Sequence, residues 1–268
     1  MPVLKLVTLN ILNDLSRWPQ RRSILAAQMA DLQPDVITLQ EVALPENSAQ
    51  WLADQLGGYC VSFRPRTHHK SREEGIAILS RYPIAREATL DLQTQNRVAQ
   101  LIEINFKTRA LIVANAHLFW WPGESIERDQ QARLILKWLN DVSSEAAIVL
   151  CGDFNATPRT NAITIMRQRF ASTYATRHGG EPEYTCPTPL AVGTIATPRD
   201  GLRAIRRVIV SVAANRTLKP WRGTLDYIFV NQHAQVIDCE VVLKQPSPAN
   251  PKIYPSDHFG LMATLEIL

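Results

Sequence analysis

The chain has no CxxC pair, and its four cysteines, Cys60, Cys151, Cys186 and Cys239, are scattered over 268 residues. The usual zinc and redox motifs are thereby excluded, and reduced structural cysteines are expected. It has no GxSxG elbow, no P-loop and no HExxH helix, so serine-hydrolase, nucleotide-triphosphatase and zincin chemistries lack support. No apolar run reaches the roughly 18 residues that cross a bilayer. The opening MPVLKLVTLNILND lacks the charged n-region, long apolar stretch and small-residue cleavage site of a secretory signal. The cytoplasm is therefore the default compartment, and a membrane partner is disfavoured. Internal repeats and low-complexity segments are missing too.

What remains is an ordinary globular composition, 46% hydrophobic and 20% charged. The net charge of +4 is mildly basic, which favours a polyanionic partner or substrate without establishing one. Apolar runs alternate with helical patterns. Leu4 to Ile11, Asp35 to Val42, Gly75 to Ser80, Val98 to Phe106, Ala110 to Leu118 and Ala146 to Leu150 read as strands. So do Leu225 to Val230, Val236 to Leu243 and Leu261 to Leu268. Helices are expected over Pro19 to Leu32, Asn47 to Leu56 and Glu124 to Val142. In the last of these, Ile126, Leu134, Ile135, Trp138 and Leu139 share the apolar face, and Arg128 is placed outside it.

Many strands with few helices predict an α/β fold, a four-layer sandwich of two packed mixed sheets flanked by helices. The chain is expected to be one domain over residues 1–268 with an insertion at about 188–220. Asp200 is expected to cap an amphipathic helix inside that insertion, with Arg203, Arg206 and Arg207 on its polar side. Packing against the sandwich is favoured for it over lying on a membrane surface.

A pattern repeats along the chain. A buried strand ends, and an acid, amide or imidazole follows: Asn10, Gln40-Glu41, Asn115 and His117, Asp153 and Asn155, Asp226, and Asp257-His258. Such groups cost several kcal/mol if left unpaired in a core, so a shared site is expected to compensate them. Asn10, Glu41 and Asp257 supply hard oxygen ligands of the kind Mg²⁺ takes, with Mn²⁺ as the alternative ion. In GDFNATP, Asp153 and Asn155 on an extended backbone would point to one side, able to handle a water and a phosphate oxygen. An Asx-turn closing the strand is the other reading of that segment. In SDHFGL and LDYIFV, Asp226 is a second carboxylate able to orient His258.

The segments TLNIL, LQEV, EEGIAILSRYPI, ANAHL, CGDFNATP, LDYIF and SDHFGL, in that order, resemble the signature set of the endonuclease/exonuclease/phosphatase (deoxyribonuclease I-like) superfamily. The resemblance implies the same four-layer sandwich and a Mg²⁺-dependent phosphoesterase. It also implies roles: Asn10 and Glu41 at the metal with Asp257 in or near its shell, and Asp153 and Asn155 on water and phosphate. His117 would stabilise the transition state, Asp226–His258 would form a dyad, and Glu74 would steady the first histidine. Glu74, Arg97 and Trp120 are the expected substrate contacts. RWPQRRSILAAQMADLQPDVITLQEV, VANAHLFWWP and EPEYTCPT are further similar to the nocturnin-like and deadenylase branch. The chain departs from that branch in a shorter loop after Asn10 and in the Thr188–Pro220 insertion. The implied substrate is a nucleic acid or nucleotide phosphoester; the alternatives are a phosphomonoester and a lipid or inositol phosphate. The basic stretch Arg64–Arg72 and Trp120–Trp121 suit a nucleic-acid backbone and base, though a solvated loop and ordinary hydrophobic anchoring explain them as well.

Overall fold

A computed structural model describes residues 2–67, 73–107, 109–142, 145–192 and 221–268. The expected insertion helix and residues 68–72 of the basic stretch lie outside the described residues. The first sheet has the order β11-β12-β1-β2-β4-β3. It is formed by β1 (Val3–Asn10), β2 (Val36–Ala43), β3 (Cys60–Pro65), β4 (Glu74–Ser80), β11 (Ala234–Val242) and β12 (Gly260–Ile267). The second has the order β5-β6-β7-β8-β10-β9. Its strands are β5 (Ile84–Asp91), β6 (Val98–Phe106), β7 (Arg109–His117), β8 (Ala147–Asp153), β9 (Ala171–Ser172) and β10 (Asp226–Val230).

The sheets pack face to face on alternate residues of their strands, with Leu4, Leu6, Val36 and Ile78 meeting Ile102, Val113, Val149 and Ile228. The outer face of the first sheet carries α1 (Trp18–Leu32) and α2 (Ser48–Leu56) on Val7, Leu9, Ile37 and Leu39. The outer face of the second carries α3 (Ile126–Val142) and α4 (Asn161–Met166), with Ile135, Leu139, Ile163 and Met166 against Ile112, Ile148 and Leu150. The short α5 (Thr173–His178) follows β9. This is the expected four-layer sandwich of mixed sheets.

Topology puts the functional candidates on one edge. β1 and β2 run parallel, as do β7 and β8, so their C-terminal ends coincide within each sheet. β12, β4, β6 and β10 run antiparallel to these neighbours and bring their N-terminal ends to the same side. The sequence pattern treated every candidate as lying past a strand's end. The structure instead starts β10 at Asp226 and places Asp257-His258 just before β12. Either position serves, because antiparallel pairing exchanges beginnings for ends.

In α3 the periodicity misassigned two residues: Ile126 is 69% exposed, while Arg128 is buried. The inner stripe is Arg128, Gln131, Ala132, Ile135 and Leu139. Loop carbonyls beneath the helix need donors. The Arg128 guanidinium donates to the carbonyls of Phe119, Trp121 and Gly123, and Gln131 Nε2 donates to those of Leu92 (3.3 Å) and Thr94 (3.1 Å). The pair thus anchors the loop that carries the two tryptophans.

Gly152, one residue before Asp153, has φ 141°, and a Cβ there would lie 1.9 Å from the Ala116 carbonyl oxygen. Ala116 is its register partner in β7, so the clash is with paired backbone that cannot retreat. Gly152→Ala is expected to lower stability by roughly 2 kcal/mol or more, summing backbone strain and overpacking. Calorimetry should show a Tm fall of about 4 °C or more; an unchanged Tm would mean the β7–β8 approach is looser than described.

Candidate active site

Two backbone irregularities aim the acidic groups. The register of β2 on β4 shifts between Leu39 and Val42, and Glu41 sits in that bulge with φ 58°. Leu39 and Val42 therefore both face the helices, and Gln40 and Glu41 both turn away from them. Gln40 Nε2 reaches across to Asn115 Oδ1 at 2.8 Å, and Asn115 Nδ2 returns to the carbonyls of Leu39 (2.9 Å) and Ala77 (3.0 Å). These two amides form a polar bolt under the site. The second irregularity follows β8: Asn155, at φ 48°, donates its backbone N–H to Asp153 Oδ1 at 2.8 Å. The Asx-turn is the geometry adopted, in place of the extended backbone, and Asn155 Nδ2 donates to the Leu118 carbonyl at 3.1 Å.

Asp153 is the hub. Its Oδ2 accepts from Asn10 Nδ2 at 3.0 Å, joining the two sheets, and lies 3.5 Å from His117 Nε2 and 4.0 Å from His258 Nε2. Burial, and then the nearby Asp226 carboxylate, push its pKa up to about 7, against the opposing influence of His258, Asn10 and the Asn155 N–H.

His258 Nδ1 lies 2.9 Å from Asp226 Oδ2, and Thr185 Oγ1 donates to the same oxygen at 2.6 Å. Asp226 Oδ1 is buried with no hydrogen-bond partner among the described residues. Burial opposes a charge on His258, but Cys186 and Asp226 beside it outweigh burial and hold its pKa well above the usual histidine value. Ligand atoms of Asp153, Asp226 and His258 all fall within 4.8 Å of one another, close enough to hold a cation.

Glu41 accepts from Asn10 Nδ2 and from the Asn13 N–H, both at 3.1 Å. Burial, then Glu74 and Asp257, raise its pKa. Among the described residues no basic side chain forms an ion pair with it. A bound cation would relieve that crowding, and oxygen donors without thiolate suit Mg²⁺ or Mn²⁺ better than a soft metal. The buried Arg21 guanidinium ties the segment that leads into Asp257 to the loop after β1, donating to the carbonyls of Ile11 (2.6 Å), Leu12 (2.6 Å) and Pro255 (2.9 Å). Ser256 Oγ also donates to the Asn10 carbonyl at 2.5 Å.

The expected substrate contacts lie in two places. Glu74 accepts from Arg66, from Arg97 NH1 at 3.2 Å and from Asn13 Nδ2 at 3.2 Å. Arg97, only 5% exposed, also has NH1 2.6 Å from His117 Nδ1. Glu74 thus reaches the histidine through an arginine. Trp120 is 36% exposed on the loop after β7 and lies 5.4 Å, centroid to centroid, from Trp121. Of the basic stretch, Arg64 pairs with Glu87 and Arg66 with Glu74.

Sequence reasoning gave Arg21, Thr185 and Ser256 no role of their own and named Arg66 only within the basic stretch. Arg21, Thr185 and Ser256 each stand in a segment that carries the resemblance, and that of Thr185, EPEYTCPT, meets Asp257 and Phe259 through its backbone.

Among curated proteins the chain is similar to 2',5'-phosphodiesterase 12 from Bos taurus, 26% identical over 74% of this chain and 32% of that protein. It is similar to nocturnin from Rattus norvegicus, 25% identical over 92% of this chain and 58% of that protein. The chain therefore spans about a third and under three fifths of those relatives' lengths. A solved endonuclease/exonuclease/phosphatase structure from Bacteroides vulgatus superposes with a TM-score of 0.76 over all of both chains at 21% identity, which speaks for the fold alone. The model of the Endonuclease/Exonuclease/phosphatase family matches residues 7–258, from β1 to the second histidine of the cleft, and the chain belongs to that family.

Proposed function

We propose that the protein is a divalent-metal-dependent hydrolase of phosphoester bonds, a nuclease or phosphodiesterase acting on nucleic acid or nucleotides. The observation that carries this reading is the shared end of the two sheets at which Asn10, Glu41, His117, Asp153, Asn155, Asp226, Asp257 and His258 converge. The names of the similar proteins, a 2',5'-phosphodiesterase and nocturnin, support a phosphodiester substrate.

Glu41, with Asn10 and Asp257 beside it, would hold Mg²⁺ or Mn²⁺. Bound there, the ion supplies positive charge to phosphoryl oxygens. The side chains divide the remaining work. Asp153, with a proton affinity near neutrality, orients a water and takes its proton as the oxygen attacks phosphorus in line. His117 and Asn155 donate hydrogen bonds to phosphoryl oxygens, where charge accumulates. His258, oriented by Asp226 and Thr185 and 4.0 Å from the same Asp153 oxygen that His117 approaches, is a second donor.

The test is hydrolysis by purified protein with Mg²⁺, Mn²⁺ or EDTA. The substrates are poly(A) RNA, single- and double-stranded DNA, a 2′-phosphorylated dinucleotide, an inositol phosphate and bis-p-nitrophenyl phosphate. EDTA-sensitive cleavage of a diester is expected. Cleavage that survives EDTA would overturn the metal dependence, and release of phosphate from monoesters alone would overturn the diester substrate. Affinity for a polynucleotide should fall steeply with salt.

A further inference from the structure

We propose that Arg97 is a positioning residue that holds His117 as a neutral imidazole with its single proton on Nε2, so that this histidine serves the cleft as a hydrogen-bond donor and not as a source of protons. The assignment begins with donor and acceptor chemistry. A guanidinium has five N–H donors and no acceptor. Arg97 NH1 lies 2.6 Å from His117 Nδ1, so Nδ1 must accept with its lone pair. That contact excludes the imidazolium, in which both nitrogens carry protons, and it excludes the Nδ1–H tautomer. The proton is left on Nε2, 3.5 Å from Asp153 Oδ2 at the floor of the cleft.

The arrangement is built to persist. Glu74 Oε1 accepts from Arg97 NH1 at 3.2 Å and from Arg66, and Glu74 Oε2 accepts from Asn13 Nδ2 at 3.2 Å. Arg97 and His117 are only 5% and 2% exposed, so water does not compete for the contact. The same Arg97 NH1 thus gives one N–H to the Glu74 carboxylate and the other to the ring. The charges facing His117 are Arg97 from the residue before β6, Arg66 from the segment after β3, and Asp153 and His258 from the cleft; Glu74 of β4 stands behind Arg97. Burial, and then Arg97 and Arg66, hold the His117 pKa well below the usual value, in agreement with the geometry.

The contrast with His258 gives this meaning. His258 Nδ1 faces a carboxylate, Asp226 Oδ2 at 2.9 Å, and can donate an N–H to it. His117 Nδ1 faces a cation and can only accept. Two imidazoles whose Nε2 atoms lie 3.5 and 4.0 Å from the same oxygen of Asp153 thus meet groups of opposite sign at Nδ1. On the phosphoesterase reading, on which this consequence rests, a leaving oxygen takes no proton from His117. His117 donates to a phosphoryl oxygen across a wide span of pH.

The experiment uses the full chain labelled with ¹⁵N at histidine and long-range ¹H–¹⁵N correlation, His117 being assigned by loss of its signals in His117→Gln. The expected result is the neutral Nε2–H pattern, unchanged over roughly pH 5 to 8, where an ordinary histidine titrates. Arg97→Met should let the His117 signals titrate or change tautomer, and should lower kcat about 10–100-fold with KM little altered. Arg97→Lys, also a pure donor, should restore the Nε2–H pattern and most of kcat. An imidazolium or Nδ1–H pattern in the unmutated protein overturns the proposal without reference to any variant. So does an Arg97→Met protein whose His117 signals match the original. A protein that shows the Nε2–H pattern yet turns over no phosphoester supports the proton assignment and overturns the phosphoesterase reading, so the two failures are distinguishable.

Discussion

Asp153→Asn should cut turnover by orders of magnitude and, above neutral pH, make the protein more stable. Both effects follow from one buried carboxylate. Its pKa is raised from 3.8 to about 7 by burial and by Asp226. Below about pH 4 it is protonated in folded and unfolded chains alike, and it costs nothing. As pH rises toward 7 the unfolded chain releases the proton while the folded chain retains it, so stability falls through that interval. Above pH 7 the whole penalty is present, of order a few kcal/mol at most. Asparagine removes the charge but keeps an acceptor for the Asn155 N–H, while one acceptor for Asn10 is lost at about 1 kcal/mol. The net gain at pH 8 is roughly 1–3 kcal/mol, a rise in Tm of roughly 3–10 °C, and it vanishes near pH 4. Calorimetry in EDTA at the two pH values measures it. An equal Tm difference at both would mean that the carboxylate is not held proton-rich. The loss in kcat should be about 10²–10⁴-fold, as for removal of a general base, and near-original turnover would take Asp153 out of the chemistry. A group that destabilises the fold at the pH where it works is what a reactive site requires.

Glu41→Gln is expected to remove the response to metal. In the unmutated protein, saturating Mg²⁺ should raise Tm, because an ion that binds only the folded chain stabilises it by about 2.7 kcal/mol at 100 times its dissociation constant. Glu41 sits against Glu74 and Asp257, whose repulsion adds to burial in raising its pKa. Glutamine relieves that repulsion and withdraws the charged ligand together. The variant should therefore start from an equal or higher Tm in EDTA, show little shift with Mg²⁺ or Mn²⁺, and lose about 10²-fold or more in kcat. A variant that keeps both the shift and the rate would move the ion to the oxygens and nitrogen of Asp153, Asp226 and His258, which lie within 4.8 Å of one another.

Much of the fold was legible where a strand is buried on both faces. β1, β6 and β8 read as continuous or alternating apolar runs because both of their faces pack. β3 and β5 were not read as strands. β5 is an edge strand with only half-buried and exposed residues, so it lacks the apolar alternation that marks a strand. α4 and α5, six residues each, are too short for a helical period to show. In α3 the period was visible, but its phase was set by loop carbonyls that need Arg128 and Gln131, and no local pattern of apolar residues reports that demand.

The site divides in the same way. By itself the sequence determined which polar side chains end buried strands, and that they are acid, amide and imidazole, because a core tolerates such groups only where something satisfies them. The Asp226–His258 pair apart, which the sequence reading expected, the partner of each was decided by tertiary structure. Asn10 meets Asp153 across 143 positions of chain because two parallel strand pairs present the same edge and the sheets stack. Glu41 turns inward because one extra residue in β2 shifts its phase. His117 and His258 are the same residue type at similar burial, and their flanking residues do not name the group that meets Nδ1 of His117. An arginine twenty positions upstream sits on one ring and an aspartate thirty-two positions upstream on the other. A proton's place depends on the sign and distance of the nearest group, and those distances exist only once the strands have packed.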